Sequence, residues 1–110
     1  MRLVRNVPRR GCGMTVYIAG PMSDLPDSNY PAFNAVAKKL RAQGIDVRNP
    51  AENDAGSTGG TWEHYMRLGL RQLLECDEIM LLPGWRNSRG ARIEHHIACE
   101  LRMTVTEWSA

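Results

Sequence analysis

The feature that most constrains this chain is an alternation of short β-rich apolar runs with amphipathic helical stretches, joined by short connections. Thr15 to Ala19 (TVYIA) is a strand that ends in the Gly20-Pro21 turn. The loop from Met22 to Asn29 is rich in turn formers: Ser23, Asp24, Pro26, Asp27 and Ser28. Pro31 suits a first helical turn, and Phe33, Val36, Ala37 and Leu40 recur at helical spacing up to a stop at Gly44. Ile45 to Arg48 is a second short strand, closed by Asn49-Pro50. A second helix spans Thr61 or Trp62 to Cys76, with Trp62, Met66, Leu70 and Leu73 on its inner face and Gly69 among them. A third strand covers Glu78 to Leu82, a turn Pro83 to Asn87, a third helix starts near Ser88, and a last strand lies near Met103 to Glu107. This βαβαβαβ order predicts the α/β class: a small flavodoxin- or Rossmann-like three-layer sandwich around a parallel sheet of four strands. Right-handed crossovers leave few strand orders, of which 2-1-3-4 is favoured. Ligands in such sheets bind beyond the carboxyl ends of the strands where the order reverses, here between strands one and three.

One residue breaks the apolar pattern at that place. On a helical wheel Gly90, Ile93, Ile97, Ala98 and Leu101 form a stripe, and Glu94 falls in its middle, with His95, His96, Cys99 and Arg102 opposite. Helical side chains lean toward the N-terminus, so Glu94 points back toward the strand end, past a glycine one turn above it. A carboxylate centred on a packing face is costly unless compensated. It reads either as half of a buried pair with a neighbouring Arg or as a catalytic acid, base or nucleophile.

Composition narrows the function classes. The 110 residues hold one domain with a modest core, and no apolar run is long enough for a membrane helix. The head MRLVRNVPRRGCG holds four arginines and no acid but lacks the apolar core of a signal peptide. Without it the formal charge of +2 becomes ten basic against twelve acidic residues, so nucleic acid is not an expected partner of the domain. Residues 1–13 read as a basic flexible arm, or as an extension ahead of an alternative start at Met14, and residues 14–110 as one α/β domain. Residues 51–60 (AENDAGSTGG), with three glycines and no large apolar side chain, read as a mobile loop and candidate lid. Cys12, Cys76 and Cys99 show no paired spacing, which predicts reduced thiols and a cytoplasmic setting. His95, His96 and Cys99 lack a fourth ligand of suitable spacing, so no metal or other cofactor is expected. There is no P-loop and no G-x-G-x-x-G.

The segments YIAGPM, CDEIMLLPGW and S-x-G-A-x-x-E resemble the small domains of the DUF4406 type. These resemble the nucleoside 2-deoxyribosyltransferase superfamily, which includes the deoxynucleoside 5′-monophosphate N-glycosidases. The resemblance covers about residues 15–103 and rests chiefly on the spacing of Asp77, Ser88, Gly90 and Glu94. It implies that Glu94 is the nucleophile on C1′ of the sugar, that Ser88 beside Gly90 contacts a 5′-phosphate, and that Tyr17, Ala19 and Gly20 line the sugar site. Asp77 matches the family and reads either as a substrate contact or as a cap on the helix-to-strand turn. The superfamily usually places an Asp eight residues before that aspartate, to assist the leaving base; here the position is Gly69. His64, Glu63 or a residue of a neighbouring subunit are the candidate substitutes.

The chemistry suits these residue types. Cleaving an N-glycosidic bond builds positive charge on the sugar, which a carboxylate beneath C1′ stabilises or captures. The start of the third helix is expected to keep Glu94 ionised and to receive a phosphate at Ser88 to Gly90, with Arg86, Arg89 or Arg92 either assisting or solvated. Trp85 either stacks on a base or packs the turn. The expected activity is therefore that of an N-glycosidase or deoxyribosyl transferase on a nucleoside or nucleotide; the alternative is a nucleotide-binding module that lost activity with the Asp at position 69. A homodimer or larger homo-oligomer is expected, with Tyr65 and Leu74 among its contacts.

Overall fold

A computed structural model describes residues 15–23, 25–54 and 60–109. The expected basic arm (1–13) and the centre of the expected lid (55–59) lie outside the described residues. Four strands, β1 (Thr15–Ala19), β2 (Asp46–Arg48), β3 (Glu78–Leu81) and β4 (Thr104–Glu107), alternate with three helices, α1 (Tyr30–Ala42), α2 (Trp62–Leu74) and α3 (Arg89–Glu100). All pairings are parallel, and the sheet order is β2-β1-β3-β4, the order favoured from the sequence. Among the described residues no helix is long and apolar enough to cross a membrane.

Two cores follow from the period-2 alternation of the strands. Val16 and Ile18 of β1, Val47 of β2 and Met80 of β3 face α1, whose Phe33, Val36, Ala37 and Leu40 are all buried. Tyr17 and Ala19, with Ile79 and Leu81 of β3, face α2 and α3. Moving one way along the sheet puts α1 on one face, and moving the other way puts α2 and α3 on the opposite one. The reversal falls between β1 and β3, so a crevice opens past Ala19 and Leu81.

The helix ends are set locally. Gly44, at φ +81°, takes the left-handed conformation that closes α1, and Ile45 N–H bonds back to Leu40 C=O. Arg102 takes the same conformation after α3, at φ 59°, where Met103 N–H reaches Ala98 C=O. Thr61 caps α2 by accepting from His64 N–H at 3.1 Å.

Several boundaries differ from the sequence pattern. α2 stops at Leu74 rather than Cys76, and β3 at Leu81 rather than Leu82. The loop after β1 contains a 3-10 turn, Pro26–Asn29, in which Asp27, Ser28 and Asn29 all have left-handed φ between 53° and 61°. Asn29 Nδ2 donates to Pro21 C=O at 2.9 Å and so ties this turn to the end of β1. Pro50–Asp54 forms a second 3-10 turn. Asn53 and Gln72 exchange two amide hydrogen bonds of 2.9 Å, which hold it against α2.

Candidate functional site

The crevice past β1 and β3 is a cleft of about 670 Å³, inside the range of roughly 300–1,000 Å³ usual for small-molecule sites. Its floor is Tyr17, Ala19 and Gly20 with Glu94 and Ala91 of α3. One wall is the loop after β1 with Tyr30 and Phe33 of α1, another is Trp62, Tyr65 and Met66 of α2, and Asn87 to Gly90 close the far side.

Glu94 is the single carboxylate that lines this cleft among the described residues, and it is 7% exposed. The inner face of α3 is centred on it but is turned slightly from the predicted stripe. Ala91, Glu94 and Ala98 are buried, whereas Ile93 and Ile97 are half-buried and Leu101 is 53% exposed. Small residues above and below the carboxylate bring α3 close to the sheet: Ala98 belongs to the predicted stripe, and Ala91 takes the place expected of the larger Ile93 and Leu101.

The partner of Glu94 is not an arginine. Tyr17, 1% exposed on β1, donates its hydroxyl to Glu94 Oε2 at 2.6 Å. The two are 77 residues apart in sequence. Burial raises the Glu94 carboxyl to about 7, and the bond from Tyr17 partly opposes that rise. This corrects the expectation that the start of the helix keeps Glu94 ionised. Glu94 is the sixth residue of α3, beyond the first turn where the helix dipole acts, and desolvation prevails. Tyr17 is itself held well above its ordinary value, first by burial and then by the carboxylate beside it.

Gly69 sits directly against this pair. A Cβ at position 69 would lie 2.5 Å from Tyr17 Oη and 2.9 Å from Glu94 Oε2. The glycine that seemed to mark a missing acid is therefore the space the pair occupies, and an Asp built there would collide with both. Gly90 has a milder version of the same role: a Cβ would meet Met66 Sδ at 3.3 Å, so its absence lets α2 approach α3.

Ser88 lines the cleft and is the N-cap of α3, where its Oγ accepts from Ala91 N–H at 3.1 Å. Capping uses the oxygen as acceptor and leaves the O–H to donate. Of the three candidate arginines, only Arg89 lines the cleft, and its guanidinium lies 4.0 Å above the Trp62 ring. Arg86 faces Glu107 and the Trp85 ring, and Arg92 donates to Arg86 C=O.

Other expected participants are elsewhere. Asp77 is at the opposite end of the sheet, where it accepts from Thr15 N–H at 3.2 Å; it ties the entries of β1 and β3 together and does not reach the cleft. Trp85 is buried in the α2–α3 core, so of its two readings the structure shows turn packing. His95, expected to point outward, is half-buried and lies 4.4 Å from the Trp85 ring. Its Nε2 is 3.4 Å from Cys99 Sγ. Glu63 and His64 are exposed and do not line the cleft. The sequence did not place every lining residue: Asn53 and Asn87, for example, line the cleft from turns whose course no periodicity reports.

Comparisons with known proteins agree with the architecture. The family described as Domain of unknown function (DUF4406) matches residues 14–107. Among solved structures, a 2-desoxiribosyltransferase from Leishmania mexicana superposes with a TM-score of 0.67 at 21% identity, covering 87% of this chain and 64% of that one. The two share a fold, and this chain spans just under two thirds of the length of that structure. No curated protein matches the sequence.

Proposed function

The chain belongs to the DUF4406 family, and we propose that this member cleaves the base–sugar bond of a (deoxy)nucleoside or its 5′-monophosphate, with Glu94 as nucleophile. The observation that carries this reading is a lone buried carboxylate at the floor of a nucleoside-sized cleft, held through one oxygen by a tyrosine hydroxyl. The second oxygen is then the attacking atom. It bonds to C1′ as the C1′–N bond breaks, the electron pair leaves with the base, and the base takes a proton. Attack of water or of a second base on C1′ returns the carboxylate, which makes the protein a hydrolase or a transferase. The fold shared with a 2-deoxyribosyltransferase supports the reading. Ser88 O–H, the backbone N–H groups after it and Arg89 offer the donors that a 5′-phosphate requires. Tyr17, Ala19 and Gly20 supply the floor on which the sugar rests.

The second reading, a nucleotide-binding module without turnover, has its own support. Among the described residues no other acid lines the cleft to protonate the leaving base, and solvent or a neighbouring subunit would have to supply that proton. The protein is accordingly proposed to act as a homodimer or larger assembly, with Leu74 of α2, 61% exposed, among the contacts. Incubation with a panel of nucleosides and 5′-monophosphates, with chromatography for free base, separates the two readings. Release that disappears in Glu94→Gln supports the enzyme. Calorimetric binding without release supports the module. A monomeric mass by light scattering at micromolar concentration contradicts the assembly.

A further inference from the structure

We infer that Gly69 is a positioning residue: its missing side chain is the space that lets the Tyr17 hydroxyl reach Glu94, so position 69 governs the protonation of that carboxylate without touching substrate. The inference rests on the reading of Glu94 as nucleophile, but its test does not depend on turnover.

The geometry leaves little choice. Gly69 is in the middle of α2 and buried, where an alanine would ordinarily favour the helix. Here the added Cβ would stand 2.5 Å from Tyr17 Oη, against 3.7 Å from Cζ of the same ring. The conflict is thus with the hydroxyl and not with the ring. The ring is 1% exposed within the α2–α3 core, so it yields only by a small shift that carries its hydroxyl away from position 69. Glu94 Oε2, at 2.9 Å, ends a flexible side chain and can retreat. A side chain at position 69 therefore separates the hydroxyl from the carboxylate. The lost bond is one that favours the charged form, so Glu94 becomes harder to ionise. The other titratable or charged groups that line the cleft are Tyr30 of α1, Tyr65 of α2 and Arg89 of α3, all left in place by the substitution.

A double-variant cycle on the unliganded protein tests this, with the Glu94 carboxyl titrated by carbon-detected NMR. Gly69→Ala is expected to move its midpoint up by about one unit, the size that corresponds to one lost hydrogen bond to a charged group. Tyr17→Phe is expected to move it by the same amount. Combining the two should add nothing further, because Phe lacks the atom with which Ala collides. The stability lost in Gly69→Ala should likewise be recovered in the double variant. If Gly69→Ala alone does not fold, the double variant still decides: folded with the midpoint of Tyr17→Phe, it supports the inference. A midpoint unmoved by Gly69→Ala, additive shifts, or a double variant that does not fold overturns it. A protein that shows this cycle yet releases no base keeps the inference and loses the proposed enzyme.

Discussion

On one side of the sheet, Val16, Ile18 and Met80 meet Phe33, Val36, Ala37 and Leu40 of α1, large apolar side chains against apolar side chains. On the other side, β1 presents Tyr17 and α3 presents Ala91, Glu94 and Ala98, with a glycine of α2 pressed against the phenol. The first face is filled; the second is arranged around a carboxylate and the space left for it. Both faces grow from the same strand by alternation of adjacent residues. Apolar packing on both faces, with Leu73, Ile79 and Leu81 behind the pair on the second, lets the fold tolerate one costly group, and the places that depart from binary patterning are where chemistry is expected.

Exchanging the roles of the faces should fail in a characteristic way. Glu94→Gln is expected to lower base release by about 10³-fold or more, as when a nucleophile is removed, while the fold gains. The folded-state carboxyl titrates at about 7 against an ordinary value of 4.5, so folding favours its protonated form. Its contribution to stability is complete below pH 4.5, falls as pH rises toward 7, and is gone above that. Gln mimics the protonated form, so the variant should exceed wild type by at most about 3 kcal/mol at pH 8, with the gap closing near pH 4.5. Urea unfolding at the two pH values measures it. For the same reason kcat/KM for base release should rise with pH and level off above about 7.

Leu40→Ala on the filled face should do the reverse. It is expected to cost about 2–5 kcal/mol in denaturant unfolding, while base release per folded molecule stays unchanged. A large loss of activity in folded Leu40→Ala would break the division between the faces. Ser88→Ala lies between them. Loss of the cap should cost about 1 kcal/mol, and calorimetry should show monophosphates weakened more than unphosphorylated nucleosides. Equal weakening of both would leave Ser88 a capping role alone. The smallest effect is expected at Arg102, left-handed at the end of α3. Arg102→Gly should gain up to about 1 kcal/mol of thermal stability with activity unchanged.

The difference between the faces also explains what could be read from the sequence. Strand order and the place of Glu94 were legible because both follow from periodicity and crossover handedness. The Phe33-to-Leu40 stripe matched the filled face residue for residue. The Tyr17–Glu94 bond was not legible, since it joins β1 to α3 across the sheet and depends on how closely α2 packs. Gly69 read as an absence for the same reason: a glycine records no partner until the neighbouring atoms are in place. Asp77 matched a motif, but motif spacing does not say which end of the sheet a residue occupies. The left-handed run at Asp27 to Asn29 uses residues that are ordinary turn formers in many geometries.

The central claim is that Glu94 attacks C1′, and trapping the product of that attack tests it most directly. A 2′-fluorinated nucleotide slows both steps by destabilising positive charge on the sugar, so a covalent adduct should accumulate. Mass spectrometry of the denatured protein should then find one glycosyl group per chain, located by digestion to Glu94 and absent in Glu94→Gln. Base release from natural substrate that persists at the wild-type rate in Glu94→Gln, with no adduct at this residue, would contradict the account.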